Sequence, residues 1–409
     1  MSQRELLTLL SAIMALMALG IDLMLPAFDD IRAAYDLGEG SPETGQVITV
    51  FFLGLAVAQL VYGPLADRFG RKPVLYIGSA IYLVGAIGSA LAPTFELLLV
   101  SRFIWGVGAA GSRVVATAIV RDRFEGTAMA SAMSQVMAVF MLVPVLAPTI
   151  GTGLIAIFPW RSVFWFCAFF AVVITLWSLR LRESLAPEDR RPLAFGSAIE
   201  GYTEVARTRV TAGYTVSTIF LQGVFTTYLA SSEILITEVF DREAQFPIVF
   251  GIVAMLFALG AIVNGRVVAI VGIHRLVNRV YLVLIPLTLA SVVLSVSADG
   301  QPSFWIFMPL LALTLGSFMF LMPNLNTAAL TPVGHLAGTA SALSGAARMA
   351  GGAVLGTIIS AQVSDSTTPF SIGVALLCLG SWASVLVVRY RSPDIAVANP
   401  HPATWSAVD

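Results

Sequence analysis

Four charged side chains lie well inside long apolar stretches of the sequence, away from their ends: Asp22, Arg102, Arg113 and Arg348. A charge at the centre of a lipid bilayer costs at least about 2.5–3.5 kcal/mol, so such side chains normally face a bundle interior or an aqueous cavity. A carboxylate in that environment can take up and release a proton, and a nearby base can influence the exchange. These four residues are therefore the first candidates for function.

Asp22 and Arg102 lie at matching depths. Asp22 precedes the end of the first apolar run by about five residues, and Arg102 follows the start of the fourth by about five, so both lie roughly 7–8 Å below one membrane surface. Two interpretations stay open. Either Asp22 titrates a proton with Arg102 as its coupled base, or the two side chains form a static ion pair that fixes helix packing.

Arg113 follows Arg102 by eleven residues, which brings both to within about 20° of each other on one helix face. The residues between them on this face are small, namely Gly106, Ala109 and Ala110. This face either lines a polar path across the membrane or packs closely against a neighbour while Arg113 reaches the interface. Arg348 lies near the middle of a later run, and we expect it to face a cavity.

Two polar residues near span ends have alternative roles. Glu233, in SSEILITE, either faces the outer mouth of a cavity or is solvated at the interface. Asn324 either binds substrate or hydrogen-bonds backbone groups freed by Pro323. No metal site is predicted, because the histidines are scattered at His274, His335 and His401. No phosphate-binding glycine loop occurs either, so the sequence predicts neither ATP hydrolysis nor another enzyme activity.

The composition predicts an all-α integral membrane protein. Hydrophobic residues make up 57% of the chain and charged residues 11%, whereas soluble domains carry about 25% charged residues. The net charge of −1 offers no basic surface for nucleic acid. A span needs roughly 20 apolar residues, and twelve runs qualify: 6–27, 44–64, 74–92, 97–119, 130–156, 162–180, 210–235, 246–270, 277–297, 303–326, 336–361 and 369–390.

A hydrophilic connection at 181–209 divides these runs into two sets of six, in residues 1–180 and 210–391. The proline-containing tail at 392–409 is predicted to be disordered. Lys and Arg concentrate in the loops that are cytoplasmic if the N-terminus is inside. The loops of the other side hold only Arg32, Arg161 and Arg242. The pattern predicts that both termini are cytoplasmic.

Several motifs resemble those of the major facilitator superfamily. The hairpin Gly63–Pro73, GPLADRFGRKP, nearly matches its loop 2–3 signature, and LLVSRFIWGVGAA resembles its helix 4 signature, with Trp105 where glutamine is common. APTIGT resembles the helix 5 antiporter signature, although Ala147 and Thr152 replace glycines. Together, DLMLPAF, AIVRD, PWRSVF and PNLNTAALTPVGHLAGTASALSG look like the Bcr/CflA subfamily of drug:proton antiporters.

This resemblance implies two pseudo-symmetric six-helix bundles around a central cavity, and export of small amphipathic molecules against inward proton flow. Asp22 is then the proton-titrating acid and Arg102 its coupled base. The implied cytoplasmic gate comprises Gly63, Asp67, Arg68, Gly70 and Arg71, with Arg121 or Arg123 as the partner of Asp67. The implied antiporter motif comprises Pro144, Pro148 and Gly151, and the candidate cavity residues are Arg113, Arg348, Glu233 and Asn324.

The expected partners are a small-molecule substrate, protons and the lipid bilayer. We expect a monomer in the cytoplasmic (inner) membrane, driven by the proton gradient without a cofactor. Because Arg113 and Arg348 make the cavity basic, a preference for neutral or anionic substrates over lipophilic cations is predicted. Two alternatives are a specific metabolite or organic-anion carrier of the same fold, and a non-transporting membrane sensor.

Overall fold

A computed structural model describes residues 1–38, 40–190 and 195–391, and this part of the chain is helical almost throughout. The all-helical membrane class is confirmed, because eleven helical segments are long and apolar enough to cross a bilayer. The main helices are α1 (Gln3–Asp22), α2 (Phe28–Ala34), α3 (Gln46–Phe69), α4 (Arg71–Leu91), α5 (Phe95–Arg123), α6 (Gly126–Ile155), α7 (Ser162–Ser178), α8 (Phe195–Arg207), α9 (Arg209–Ile234), α10 (Phe246–Val271), α11 (Ile273–Ser297), α12 (Phe304–Leu330), α13 (Ala337–Ser360) and α14 (Thr367–Arg391).

These helices follow the predicted apolar runs closely. The predicted sixth span corresponds to α7, which is apolar but only 17 residues long. Two short helices were not predicted. The chain continues beyond α1 through a turn at Leu25–Ala27 into α2, and the polar connection contains α8, whose Val205 packs on Val333 and Ala340. The predicted disordered tail lies outside the described residues.

The contacts between helices fall mainly into two sets. Helices α1, α3, α4, α5, α6 and α7 contact one another, and so do α9 to α14. The main contacts between the sets pair α3 with α13 and α6 with α10. We call these sets the N-terminal and C-terminal halves, and the contact between them the seam.

A cavity of about 710 Å³ lies at the seam and is lined by α3, α5 and α13. Its mouth carries Asp67, Arg121 and Asp122, next to the α3–α4 hairpin, and we call this the hairpin end. Tyr202 of α8 also lines it and donates a hydrogen bond to the Leu60 carbonyl oxygen at 3.1 Å. At the opposite, distal end, the turn at Pro42–Gly45 packs against α9.

Candidate functional site

At the hairpin end, Arg71 connects three helices of the N-terminal half. Its Nη1 lies 2.6 Å from Asp67 Oδ1 of α3, and its Nε lies 2.9 Å from Asp122 Oδ2 of α5. In this structure the partner of Asp67 is Arg71, whereas Arg123 donates to backbone carbonyls of the connection. The pairing of Asp67 with Arg121 or Arg123 is predicted for the state in which this end is closed, and it stays a prediction. The sequence interpretation missed Asp122. Because all three residues lie in one half, this network leaves the cavity open.

Gly70 and Glu183 hold the start of α4. Gly70 has a φ of 101°, which favours glycine, and a side chain there would lie 2.6 Å from Glu183 Oε2. Glu183 accepts hydrogen bonds from the backbone N–H groups of Arg71 at 2.9 Å and Lys72 at 3.0 Å. Burial raises the pKa of Glu183, but hydrogen bonds from four backbone N–H groups outweigh it and lower the pKa. Glu183 thus acts as an N-terminal cap contributed by the connection.

Asp22 and Arg102 lie close in depth but form no ion pair in this structure. The Arg102 side chain is fully buried, and its guanidinium donates to the carbonyl oxygens of Gly20 at 2.8 Å and Val47 at 3.3 Å. It also lies 4.5 Å from the Phe51 ring centroid and 4.7 Å from that of Trp105. The alternative of a static ion pair is therefore wrong for this conformation.

Asp22 is 4% exposed and has no hydrogen bond or ion pair with another residue of the described ranges. It lies near Tyr228 of α9, on the other side of the seam, and the hydroxyl of Tyr228 also has no partner there. Both groups are therefore buried polar groups without a partner in this conformation, and neither belongs to the described lining of the cavity.

The face shared by Arg102 and Arg113 has two different environments. Gly106 packs against α3, where a side chain would overlap the carbonyl oxygen of Phe51, and Ala109 is fully buried. Ala110 and Arg113 instead line the cavity. The predicted continuous polar path is thus absent between these residues, and the cavity reaches only the Arg113 part of α5.

Arg113 and Arg348 have few partners. Within the described part of the chain, the Arg113 side chain forms no hydrogen bond or ion pair. Arg348 of α13 donates one hydrogen bond, from Nη1 to Gln222 Oε1 at 3.0 Å. Arg113 belongs to the lining of the cavity, whereas Arg348 does not, although its neighbour Met349 does. The two guanidinium groups are close enough to repel each other.

At the distal end, Glu233 lies in an ion pair that crosses the seam. Its Oε1 is 2.7 Å from Arg32 Nη2, and the two side chains are 2% and 3% exposed. Glu233 is not solvated in this structure. Its predicted location at an outer mouth stays a prediction, because the described cavity opens at the hairpin end. Arg32 also pairs with Asp29 and lies 3.9 Å from Glu238. The three carboxylates lie within 4.8 Å of one another, and Arg32 supplies a positive charge among them.

Two further details concern the remaining candidates. Asn324 donates to Asn264 Oδ1 at 2.8 Å and to the Phe320 carbonyl oxygen at 2.7 Å, so its amide joins α12 to α10.

Pro144, Pro148 and Gly151 lie within one continuous helix, α6. A side chain at Gly151 would overlap the carbonyl oxygen of Leu23, so this glycine allows α6 to approach the end of α1.

Membrane-length helices around a cavity with one open end are typical of membrane transporters. The model of the Major Facilitator Superfamily matches residues 10–357, and the chain belongs to this family. It is therefore a multi-pass membrane transporter rather than an enzyme.

Named relatives are similar over most of the chain. An uncharacterized MFS-type transporter, YdgK, of Bacillus subtilis (strain 168) is 28% identical over 380 residues, 90% of each chain. The bicyclomycin resistance protein homolog of Haemophilus influenzae is 27% identical, over 91% of each chain. The multidrug resistance protein MdtL of Shigella dysenteriae is 28% identical, over 95% of each chain.

Solved structures show the same fold. A D-xylose–proton symporter superposes with a TM-score of 0.76 at 13% identity, covering 94% of this chain and 96% of its own. The human organic anion transporter MFSD10 superposes with a TM-score of 0.64 at 20% identity, covering 94% and 100%.

Proposed function

We propose that the protein is a proton-coupled exporter of small drug-like or amphipathic molecules, working by alternating access in the cytoplasmic (inner) membrane. The observation that carries this proposal is the asymmetry of the cavity, which is open at the hairpin end, whereas contacts across the seam cover the distal end. A cavity that opens to one side at a time can move a solute across a bilayer. The names of the Haemophilus and Shigella relatives support drug efflux.

The proposed topology has twelve spans, including α7, with both termini in the cytoplasm. The two bundles comprise residues 1–180 and 210–391, joined by a cytoplasmic connection at 181–209. The concentration of Lys and Arg near the hairpin end supports this orientation, in which the cavity opens to the cytoplasm. The protein works as a monomer and takes its energy from the proton gradient, with no cofactor.

Asp22 carries the coupling proton in this proposal. Its carboxyl group is buried without a partner in the described residues, and it lies at the seam near Tyr228. Its charge therefore affects how favourably the two halves approach each other. Arg102 keeps a positive charge nearby while its Nη1 and Nε donate to the α1 and α3 backbone.

The test is transport into proteoliposomes with an imposed pH gradient, using bicyclomycin together with a panel of cationic, neutral and anionic compounds. We expect uphill accumulation that collapses when the gradient is removed. Asp22→Asn should abolish uphill accumulation, because the amide cannot exchange the proton, while downhill substrate exchange continues. Glu43→Gln, which removes an exposed acid near the distal end, is the matched control.

Uphill transport by the Asp22→Asn protein would contradict the coupling role. Transport of a single tight ligand, with no transport of drug-like compounds, would favour the specific carrier. Binding without flux would favour the sensor.

A further inference from the structure

We propose that the cavity holds an organic-anion site, in which Arg113 and Arg348 together bind a carboxylate or sulfonate group of the substrate. This inference rests on the proposed function, because it names the substrate class of the same cavity. The supporting observations are the balance of charge along the cavity, the unused donors of the two arginines, and the apolar wall beside them.

The charges at the cavity mouth offset one another. Asp67 and Asp122 both bind Arg71, and Arg121 adds a positive side chain to the same lining. Arg113 precedes Asp122 by nine residues on α5, so it lies about 13 Å further from the mouth at 1.5 Å per residue. No carboxylate belongs to the described lining beyond Asp67 and Asp122. The deep part of the cavity therefore has an excess of positive charge.

Arg113 and Arg348 retain most of their hydrogen-bonding capacity. A guanidinium has five N–H donors, and Arg348 uses one on the neutral oxygen of Gln222, whereas Arg113 uses none within the described ranges. Arg102 differs in its surroundings, because its Nε and Nη1 donate to two carbonyl oxygens and two aromatic rings enclose it, although its Nη2 has no partner in the described residues. An anion between Arg113 and Arg348 would relieve the repulsion between them and accept their free donors.

The surrounding wall selects an amphipathic anion rather than a small inorganic one. Leu55, Ala110, Val114 and Met349 present apolar side chains to the cavity. The cavity volume of about 710 Å³ is large enough for a drug-sized molecule. A planar anionic group attached to an aromatic or aliphatic body therefore fits the charge and the wall together.

The test uses three probes of nearly identical shape: 2-naphthoate, 2-naphthamide and 2-naphthamidine, which carry negative, neutral and positive planar groups. Binding to the purified full-length protein is measured calorimetrically at pH 7 without a proton gradient. We expect naphthoate to bind at least about tenfold more tightly than naphthamide, since hydrogen bonds to charged groups are the stronger ones. Naphthamidine should bind most weakly.

Arg113→Gln and Arg348→Gln should each remove most of the preference for naphthoate and leave naphthamide binding unchanged. Arg266→Gln, which removes an exposed arginine of α10, is the control and should keep the preference. Arg348→Lys should retain part of it, because the charge remains.

Equal affinities of the wild-type protein for naphthoate and naphthamide would overturn the anion site, whatever the stability of the variants. If Arg113→Gln and Arg348→Gln weaken the binding of naphthoate and naphthamide equally, the two arginines have a structural role, and the anion-site proposal is also overturned. Gradient-driven uptake of a neutral compound is measured separately. If the protein shows such uptake but no preference for naphthoate, only the anion-site proposal is contradicted. If it prefers naphthoate but shows no gradient-driven uptake, only the proposed proton coupling is contradicted.

Discussion

The two ends of the molecule contain similar ionic chemistry with different consequences. At the hairpin end, Arg71 binds Asp67 and Asp122, and all three belong to the N-terminal half. At the distal end, Arg32 of the N-terminal half binds Glu233 of the C-terminal half, and both are nearly inaccessible to solvent. The first network links helices within one half, whereas the second links the two halves to each other.

The difference shows that the position of an ion pair relative to the seam decides its mechanical role. A pair within one half moves with that half and does not oppose separation. A pair across the seam must break when that end opens, and its charges must then be hydrated. The Thr49–Thr357 hydrogen bond also crosses the seam, so the distal closure includes polar contacts at two positions.

The largest effect is expected from Arg32→Gln, which leaves Glu233 buried without its partner. Breaking a buried pair costs about 3–5 kcal/mol, and this cost is relieved when the distal end opens and Glu233 is hydrated. We expect a cysteine at position 49 to react with a membrane-impermeant maleimide at least about tenfold faster in this variant. The native Cys167 and Cys378 are buried and are replaced by serine for this measurement.

Arg242→Gln is the control for this experiment, because Arg242 is also near the distal end but binds Gln245 and two aromatic rings of its own half. Its effect on labelling should be small. An equal increase in both variants, or none in Arg32→Gln, would contradict a closure across the seam.

A smaller effect of a different kind is expected from Arg71→Gln. Asp67 and Asp122 then lose their shared cation, and we expect unfolding of the protein to become easier by about 1–3 kcal/mol. Labelling at position 49 should not increase, because the network lies within one half. Thermal unfolding in detergent measures the first effect, with Arg68→Gln, an exposed neighbour, as control. Faster labelling in Arg71→Gln would show that the hairpin network acts across the seam.

The smallest effect is expected from Glu183→Gln, which weakens the cap of α4 by about 1 kcal/mol. Because the pKa of Glu183 is lowered in the folded protein, its carboxylate stabilises the fold fully above the ordinary glutamate pKa of about 4.3. That contribution is lost as the pH falls through the lowered pKa.

The difference in melting temperature between wild type and Glu183→Gln should therefore be present at pH 7 and shrink below about pH 4. Glu188→Gln, an exposed change in the same connection, should have no such pH dependence. A difference that stays constant with pH would contradict the capping role of the charge.

The sequence predicts the helices well because the bilayer constrains them strongly. A run of about 20 apolar residues has few alternatives to a spanning helix. It predicts α8 poorly, because that helix lies in a polar connection and depends on contacts of Val205 with Val333 and Ala340. The division at 181–209 and the orientation of the termini stay predictions.

The candidate site shows where counting along the chain fails. The depth of a side chain in the membrane follows from its residue number, so the sequence places Asp22 and Arg102 at similar depths. Their hydrogen-bond partners, however, depend on how each helix is rotated and packed. Arg102 instead binds the carbonyl oxygen of Gly20, two residues from Asp22. The Arg32–Glu233 pair is separated by 201 residues, and no local pattern indicates it. The roles of Asp22, Arg113 and Arg348 stay predictions until transport and binding are measured.

The central claim is that the two ends open alternately and that Arg32–Glu233 holds the distal end closed. Pulsed electron paramagnetic resonance on the protein in lipid nanodiscs measures the opening of both ends directly. One spin-label pair, at positions 33 and 297, spans the distal end, and another, at 68 and 275, spans the hairpin end; all four positions are exposed. In Arg32→Gln we expect the distal distance to lengthen and the hairpin-end distance to shorten in the same fraction of molecules. Both distances lengthening together, or neither changing, would contradict the claim.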